Sequence, residues 1–129
     1  MGCATIQVPE ISGRVPCQVQ LSGQVEEAIY SALDAQHWVI LAADDHWIKA
    51  RKQVNQRQAT VEIAYGYRGF SIDYRDSEQM QYDAESDTID ATYAAWVKRL
   101  ERHIETLLQH VAADTPPSKK CTYKNYAIL

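Results

Sequence analysis

The sequence predicts an α+β fold: a two-layer sandwich in which a four-stranded antiparallel meander carries two helices on one face, in the order α-β-β-β-β-α. Two segments with apolar residues three and four positions apart predict the helices. Between them, apolar and polar residues alternate in short runs separated by turn residues, which is typical of antiparallel strands. If both helices lie on the apolar face of the sheet, all three apolar surfaces are buried together.

The first predicted helix begins at Ser22, a residue type that favours the N-cap position, and ends near Gln36. Its apolar stripe consists of Val25, Ala28, Ile29, Ala32 and Leu33. The second predicted helix follows Asp90 as its cap and extends to Ala113. Its apolar seam consists of Tyr93, Trp96, Val97, Leu100, Ile104, Leu107 and Val111.

The four predicted strands lie between these helices. A short apolar run from Trp38 to Ala42 predicts the first strand, and alternation predicts the others. Turn residues at Asp44-Asp45, Asn55 to Arg57 and Arg68-Gly69 separate them. The predicted strands cover residues 38–42, 47–54, 59–67 and 70–75.

This pattern places a single domain at residues 21–113. Residues 1–20 contain two prolines and show no sustained period, so they are predicted to be a tether, with a capping strand as the alternative. Residues 114–129 begin with Thr-Pro-Pro-Ser-Lys-Lys after Asp114, which predicts a linker followed by a short tail.

Composition narrows the class of protein. The chain has 129 residues, a net charge of −4, 46% hydrophobic residues and 23% charged residues. These values exclude a disordered, collagen-like or disulfide-dense chain. No stretch approaches the roughly 18 apolar residues of a membrane-spanning helix. The mild acidity argues against a nucleic-acid partner, for which a basic domain is expected.

The three cysteines suggest a location for the protein. Cys3 follows Met1-Gly2, and Gly-Cys ends the lipobox of bacterial lipoproteins, so Cys3 is a candidate for lipid attachment. A myristoylation start is the first alternative, but it requires Ser or Thr at position 6, where Ile6 stands. Three free thiols in a cytosolic protein are the second alternative.

If Cys3 carries lipid, Cys17 and Cys121 remain as a pair in an oxidising compartment, and we expect a disulfide between them. Such a bridge closes a loop of about 100 residues, for which the chain-entropy argument allows up to ~4.7 kcal/mol.

No pattern in the sequence predicts catalysis, a metal site or a cofactor. His103 and His110 lie seven positions apart, beyond the four-residue spacing that lets two helical histidines share one zinc ion. The acidic segment Asp83 to Asp87 alternates like a calcium loop but has Thr88 and Ala94 where that loop needs glycine and glutamate. We therefore predict no catalytic residue, although an enzyme with an unrecognised site stays an alternative.

The polar face of the sheet is the candidate partner surface. Strand alternation places on it Trp47, Lys49, Arg51, Glu62, Asp73 and Arg75. Tryptophan and arginine are common hot-spot residues, so a protein partner or a glycan is expected there. The alternative is a solvent-exposed surface of cross-strand ion pairs, each of which contributes under ~1 kcal/mol to stability.

Several segments resemble those of small proteobacterial lipoproteins of unknown function, over roughly residues 21–112. They are Ala59-Thr-Val-Glu-Ile-Ala-Tyr, Phe70-Ser-Ile-Asp-Tyr-Arg-Asp-Ser, Met80-Gln-Tyr-Asp, Ile89 to Tyr93 and Trp96-Val-Lys-Arg-Leu-Glu. The chain departs from that family at His37, where glycine often precedes the first-strand tryptophan. Cys17 and Cys121 lie outside the similar region.

The resemblance implies that Cys3 is the lipobox cysteine, left after removal of a signal peptide. Ala4, rather than the aspartate that retains lipoproteins at the inner membrane, follows it. By resemblance, the protein is expected on the periplasmic face of the outer membrane. Together with Cys3 and the lack of a catalytic pattern, the resemblance predicts a non-enzymatic module that binds a partner or supports the envelope. The family has no assigned activity, so it supplies no catalytic residue.

Overall fold

The computed structural model describes residues 4–19 and 22–114, apart from the side chain of Ser22. Its elements follow one another as β1 (Thr5–Gln7), β2 (Ile11–Arg14), α1 (Ser22–Ala35), β3 (Val39–Ala43), β4 (Trp47–Val54), β5 (Arg57–Tyr65), β6 (Gly69–Glu78), β7 (Thr88–Asp90) and α2 (Ala91–Ala113). No helix in this described part is both long and apolar enough to cross a membrane.

The predicted α+β class is confirmed, but the predicted sheet is incomplete. Strands β3 to β6 form the expected antiparallel meander. The N-terminal strand β2 adds a fifth strand beside β6, so the order across the sheet is β2-β6-β5-β4-β3. Strands β1 and β7 pair separately as a two-stranded antiparallel ribbon.

Residues 5–7 and 11–14 form β1 and β2, so this part of the N-terminal segment matches the alternative of a capping strand rather than a tether. Thr5 pairs with Asp90, and Ile11 pairs with Ile72. Strands of three and four residues are too short to show a period, and their partners lie at least 55 positions away. Local pattern therefore could not specify their pairing, because sheet pairing at that distance is a tertiary property.

Both helices bury the faces that their periodicity predicts. The five stripe residues of α1 are at most 5% exposed. In α2 the buried seam agrees with prediction up to Ile104 and then shifts to Leu108 and Ala112, leaving Leu107 and Val111 partly buried. Asp90 caps α2 as predicted, since its Oδ1 accepts a hydrogen bond from the Thr92 N–H at 2.8 Å.

One buried cluster joins the two helices to the inner face of the sheet. Ile48, Ile63 and Ile72 form a row across neighbouring strands and are at most 1% exposed. They belong to the same cluster as the stripe of α1 and the seam of α2. The helices therefore cover this face, and the alternate residues of the strands form the outer face.

Gly13 lets β2 join the sheet closely. It pairs directly with Phe70, and a Cβ at position 13 would lie 2.5 Å from the Phe70 ring. An aromatic ring over a glycine of an edge strand is a recurrent way of covering the missing side chain. Phe70 is 4% exposed as a result.

The opposite edge of the sheet is formed by β3, whose five residues are all exposed. The exposed fraction reaches 64% for Val39 and 42% for Leu41. The apolar run predicted this strand. Its exposure follows from its position, because no further strand or described helix covers that edge.

Candidate functional site

The outer face of the sheet places charged side chains side by side on three neighbouring strands. Lys49 on β4, Glu62 on β5 and Asp73 on β6 are partners in register. Residues that pair across antiparallel strands share a face, with Cβ atoms about 5 Å apart. These three predicted surface residues therefore form one row.

Arg75 joins this row through an ion pair with Glu62. Its Nη2 donates to Glu62 Oε1 at 3.3 Å, and its Nε donates to Oε2 at 3.4 Å. Both side chains are partly exposed, at 45% and 29%. An ion pair that is this exposed to solvent stabilises the fold by less than ~1 kcal/mol. Its main effect is therefore to orient the two side chains.

A β-bulge at Arg75 changes which residues share the outer face. Val61 pairs with Tyr74, but Thr60 pairs with Asp76, so Arg75 is the extra residue. Strict alternation would turn Asp76 towards the core; the bulge puts it beside Thr60 on the outer face with Asp73. Asp73 and Asp76 are both exposed.

The remaining predicted surface residues lie on β4. Trp47 and Arg51 are half-buried. Arg51 Nε donates to Thr60 Oγ1 at 3.4 Å, and Thr60 is only 2% exposed although it faces outward. The six predicted residues thus occupy one continuous face of β4, β5 and β6.

Charge on this outer face is unevenly distributed. The cations Lys49 and Arg51 lie on β4, whereas Glu62, Asp73 and Asp76 lie on β5 and β6. Arg75 offsets Glu62 only. A partner that matches this face needs acidic groups opposite β4 and basic groups opposite β6.

The cysteine predictions stay predictions. Cys17 is half-buried between β2 and α1, but Cys3 and Cys121 lie outside the described residues. Ala4, the residue after Cys3, is fixed by the hydrogen bond that its carbonyl accepts from the Ala91 N–H at 2.9 Å. Ala4 therefore lies beside the start of α2.

Histidines and acidic residues do not converge in the described part of the chain. No group of three His, Cys, Asp or Glu side chains there is placed to hold a metal ion. His103 is half-buried beside Gln36, whereas His110 is exposed in the last turn of α2. In the acidic segment, Asp83 Oδ1 accepts from the Glu85 N–H at 2.9 Å and closes a turn.

Two adjoining depressions lie where β6 leads into β7. Gln79 and Gln81 line both, at volumes of about 680 and 620 Å³. Both glutamines have positive φ, at 59° and 55°, on either side of buried Met80. The Arg57–Asp90 ion pair, at 3.8 Å, lies in the wall, and Asp90 is also the residue that caps α2. These side chains provide hydrogen-bonding groups.

Burial shifts the pKa values of two tyrosines in the core. Burial chiefly raises the pKa of Tyr93, with Tyr74 and Asp73 adding to it. Burial also raises the pKa of Tyr65, whose hydroxyl donates to Glu26 at 2.8 Å. The Tyr93 hydroxyl, in contrast, has no hydrogen-bond partner among the described residues.

Comparison with known proteins adds no relative: no protein-family model matches the chain, and no curated sequence does. The resemblance to small lipoproteins therefore stays a prediction.

One group of side chains was missed by the sequence reasoning. Gln36, Arg99, Arg102, His103 and Thr106 line a depression of about 240 Å³ between the end of α1 and α2. The sequence does contain a signal for it. The four α2 residues are spaced i, i+3, i+4 and i+7, and none of them is acidic.

Proposed function

We propose that the protein is a non-enzymatic, lipid-anchored periplasmic module that binds an envelope protein through the outer face of its sheet. The observation that carries the proposal is the row Lys49–Glu62–Asp73 with Arg75, whose side chains are partly or fully exposed on the sheet face opposite the two helices. Patterned charge of both signs gives specificity and orientation to a protein interface more than it gives affinity.

The lipid anchor rests on Cys3 and Ala4 and on the resemblance. The fold supports it by fixing Ala4 to the start of α2, which keeps the anchor close to the domain. Two residues of extended chain span about 7 Å, so a lipid on Cys3 would hold β1 near the membrane surface. The proposed location is the periplasmic face of the outer membrane.

The anchor is tested by an intact mass of the natural precursor after expression in a Gram-negative host. We expect a mass gain on the order of three acyl chains. The substitution Cys3→Ser should abolish both this mass gain and the recovery of the protein in the membrane fraction. Reduction should add two hydrogens if Cys17 and Cys121 are joined. An unmodified chain in the soluble fraction would refute the anchor and favour the cytosolic alternative.

The binding face is tested separately by photo-crosslinking in cells. A photoreactive residue at Ser71, on the outer face, should give a defined adduct that Lys49→Glu with Arg51→Glu abolishes. The matched control is a photoreactive residue at Ser31, which is exposed on α1 away from the sheet. The proposed face would be contradicted if Ser71 and Ser31 gave equal amounts of adduct. It would also be contradicted if the adduct at Ser71 were unchanged by Lys49→Glu with Arg51→Glu.

A further inference from the structure

The depression between the end of α1 and α2 is rich in positive charge, although the whole chain has a net charge of −4. Arg99 and Arg102 are exposed at its wall. In the described part of the chain, no carboxylate oxygen lies within 4.0 Å of either guanidinium group. This region therefore has cations that the protein itself leaves without direct ion pairs.

Helix spacing explains why these arginines lack such pairs. Stabilising pairs on a helix form between residues three or four apart. Four positions from Arg99 stand Ala95 and His103, and four positions from Arg102 stand Lys98 and Thr106. Glu105, three positions after Arg102, is exposed and makes no ion pair with it within 4.0 Å.

A third cation lies behind the depression. Lys52 is only 8% exposed, and its Nζ donates to the Gln36 carbonyl at 2.7 Å, 5.7 Å from the centre of the Trp96 ring. Burial lowers the pKa of Lys52, and repulsion from Arg99 lowers it further. The positive potential of the arginines thus extends to a buried lysine that contacts Gln36, one of the residues that line the depression.

His103 adds a hydrogen-bond donor. Gln36 Nε2 lies 3.0 Å from His103 Nδ1, so the Gln36 side chain, at the end of α1, orients the ring through Nδ1. The other ring nitrogen, Nε2, takes no part in this contact and, when it carries a proton, can donate to a ligand.

We propose that this depression binds a phosphate group, as inorganic phosphate or a phosphate monoester, through Arg99 and Arg102 with His103 as a further donor. Guanidinium groups match phosphate oxygens bidentately, and two of them balance a dianion. The volume of about 240 Å³ is below the usual range for drug-sized ligands, so the bound group is small. This site is separate from the sheet face and does not depend on its role.

The test is a titration of the whole protein with inorganic phosphate at constant ionic strength, followed by NMR signals of the arginine Nε–H groups and the His103 ring. Wild type is compared with Arg99→Gln/Arg102→Gln. The matched control is Arg14→Gln/Arg68→Gln, because both of these arginines are exposed and lie together beside the β5–β6 turn. Each double variant changes the net charge from −4 to −6, so only position differs.

We expect saturable binding in wild type and control, and at least tenfold weaker binding in Arg99→Gln/Arg102→Gln. Binding that does not saturate, or that weakens equally in both variants, would overturn the proposal, since it would reflect net charge alone. A second arm measures binding to phosphatidylcholine vesicles with and without phosphatidic acid. Vesicle binding that depends on the two arginines identifies a lipid headgroup as the source of the phosphate group. Binding of inorganic phosphate without vesicle binding identifies a soluble phosphate. If neither kind of binding is observed, the proposed site is overturned.

Discussion

The two faces of strand β5 use alternate residues of one nine-residue segment for different purposes. Ala59, Val61 and Ile63 face the helices and are fully buried, whereas Glu62 and Ala64 face outward. The inner face stabilises the fold by removing apolar surface from water. The outer face adds little to stability, so its side chains are available for a partner. The following substitutions test that division.

The largest expected effect comes from Ile63→Ala on the inner face. Ile63 lies between Ile48 and Ile72 at 0% exposure, so its truncation leaves a cavity in the middle of the sheet. We expect a loss of about 2–5 kcal/mol in the free energy of unfolding, measured by urea denaturation. A loss below ~1 kcal/mol would show that the inner and outer faces contribute about equally to the free energy of unfolding.

Asp90→Ala is expected to have the next largest effect. Asp90 is 3% exposed, caps α2 through Thr92 and pairs with Arg57. Loss of a cap costs about 0.5–2 kcal/mol. Asp90→Asn keeps the accepting oxygen and serves as the control. Equal urea midpoints for the two variants would show that the charge, rather than the cap, stabilises this end of the helix.

Tyr93→Phe tests how the buried hydroxyl group of Tyr93 affects the pH dependence of stability. This hydroxyl has no hydrogen-bond partner among the described residues, and burial raises its pKa. Because the folded-state pKa is higher, its contribution to stability is complete below pH 10 and is lost as the pH rises through the folded value. Stability should fall there by up to about 1.4 kcal/mol per pH unit for this group.

The measurement is the urea midpoint between pH 8 and pH 11, and Tyr93→Phe should flatten the decline above pH 10. Tyr67→Phe is the control, because Tyr67 is 61% exposed. If both variants follow the wild-type curve, the Tyr93 hydroxyl does not couple folding to pH.

The smallest effect is expected on the outer face. Arg75→Gln removes the ion pair with Glu62, and we expect a change of less than ~1 kcal/mol in the free energy of unfolding. The same variant should weaken the crosslinked adduct formed at Ser71. A loss of several kcal/mol would mean that the outer face supports the fold and would weaken the proposal that it is free for binding.

Sequence periodicity was sufficient for the helices, the meander and the composition of its outer face. Alternation alone placed Lys49, Glu62 and Asp73 together, and the structure has them in register. It could not locate the bulge at Arg75, because an inserted residue disturbs the pairing without a distinct residue type. The depression at Arg99 and Arg102 depends on where the end of α1 meets α2, which is a property of tertiary packing.

The pairing of the N-terminal strands has a consequence for the order of folding. The hairpins of the meander join residues close in sequence, whereas Thr5 pairs with Asp90 and Ile11 with Ile72. Distant pairings form slowly because a long loop must close first. Strands β1 and β2 are therefore expected to pair after the meander has formed. A chain attached at Cys3 would complete its fold against the surface that holds it.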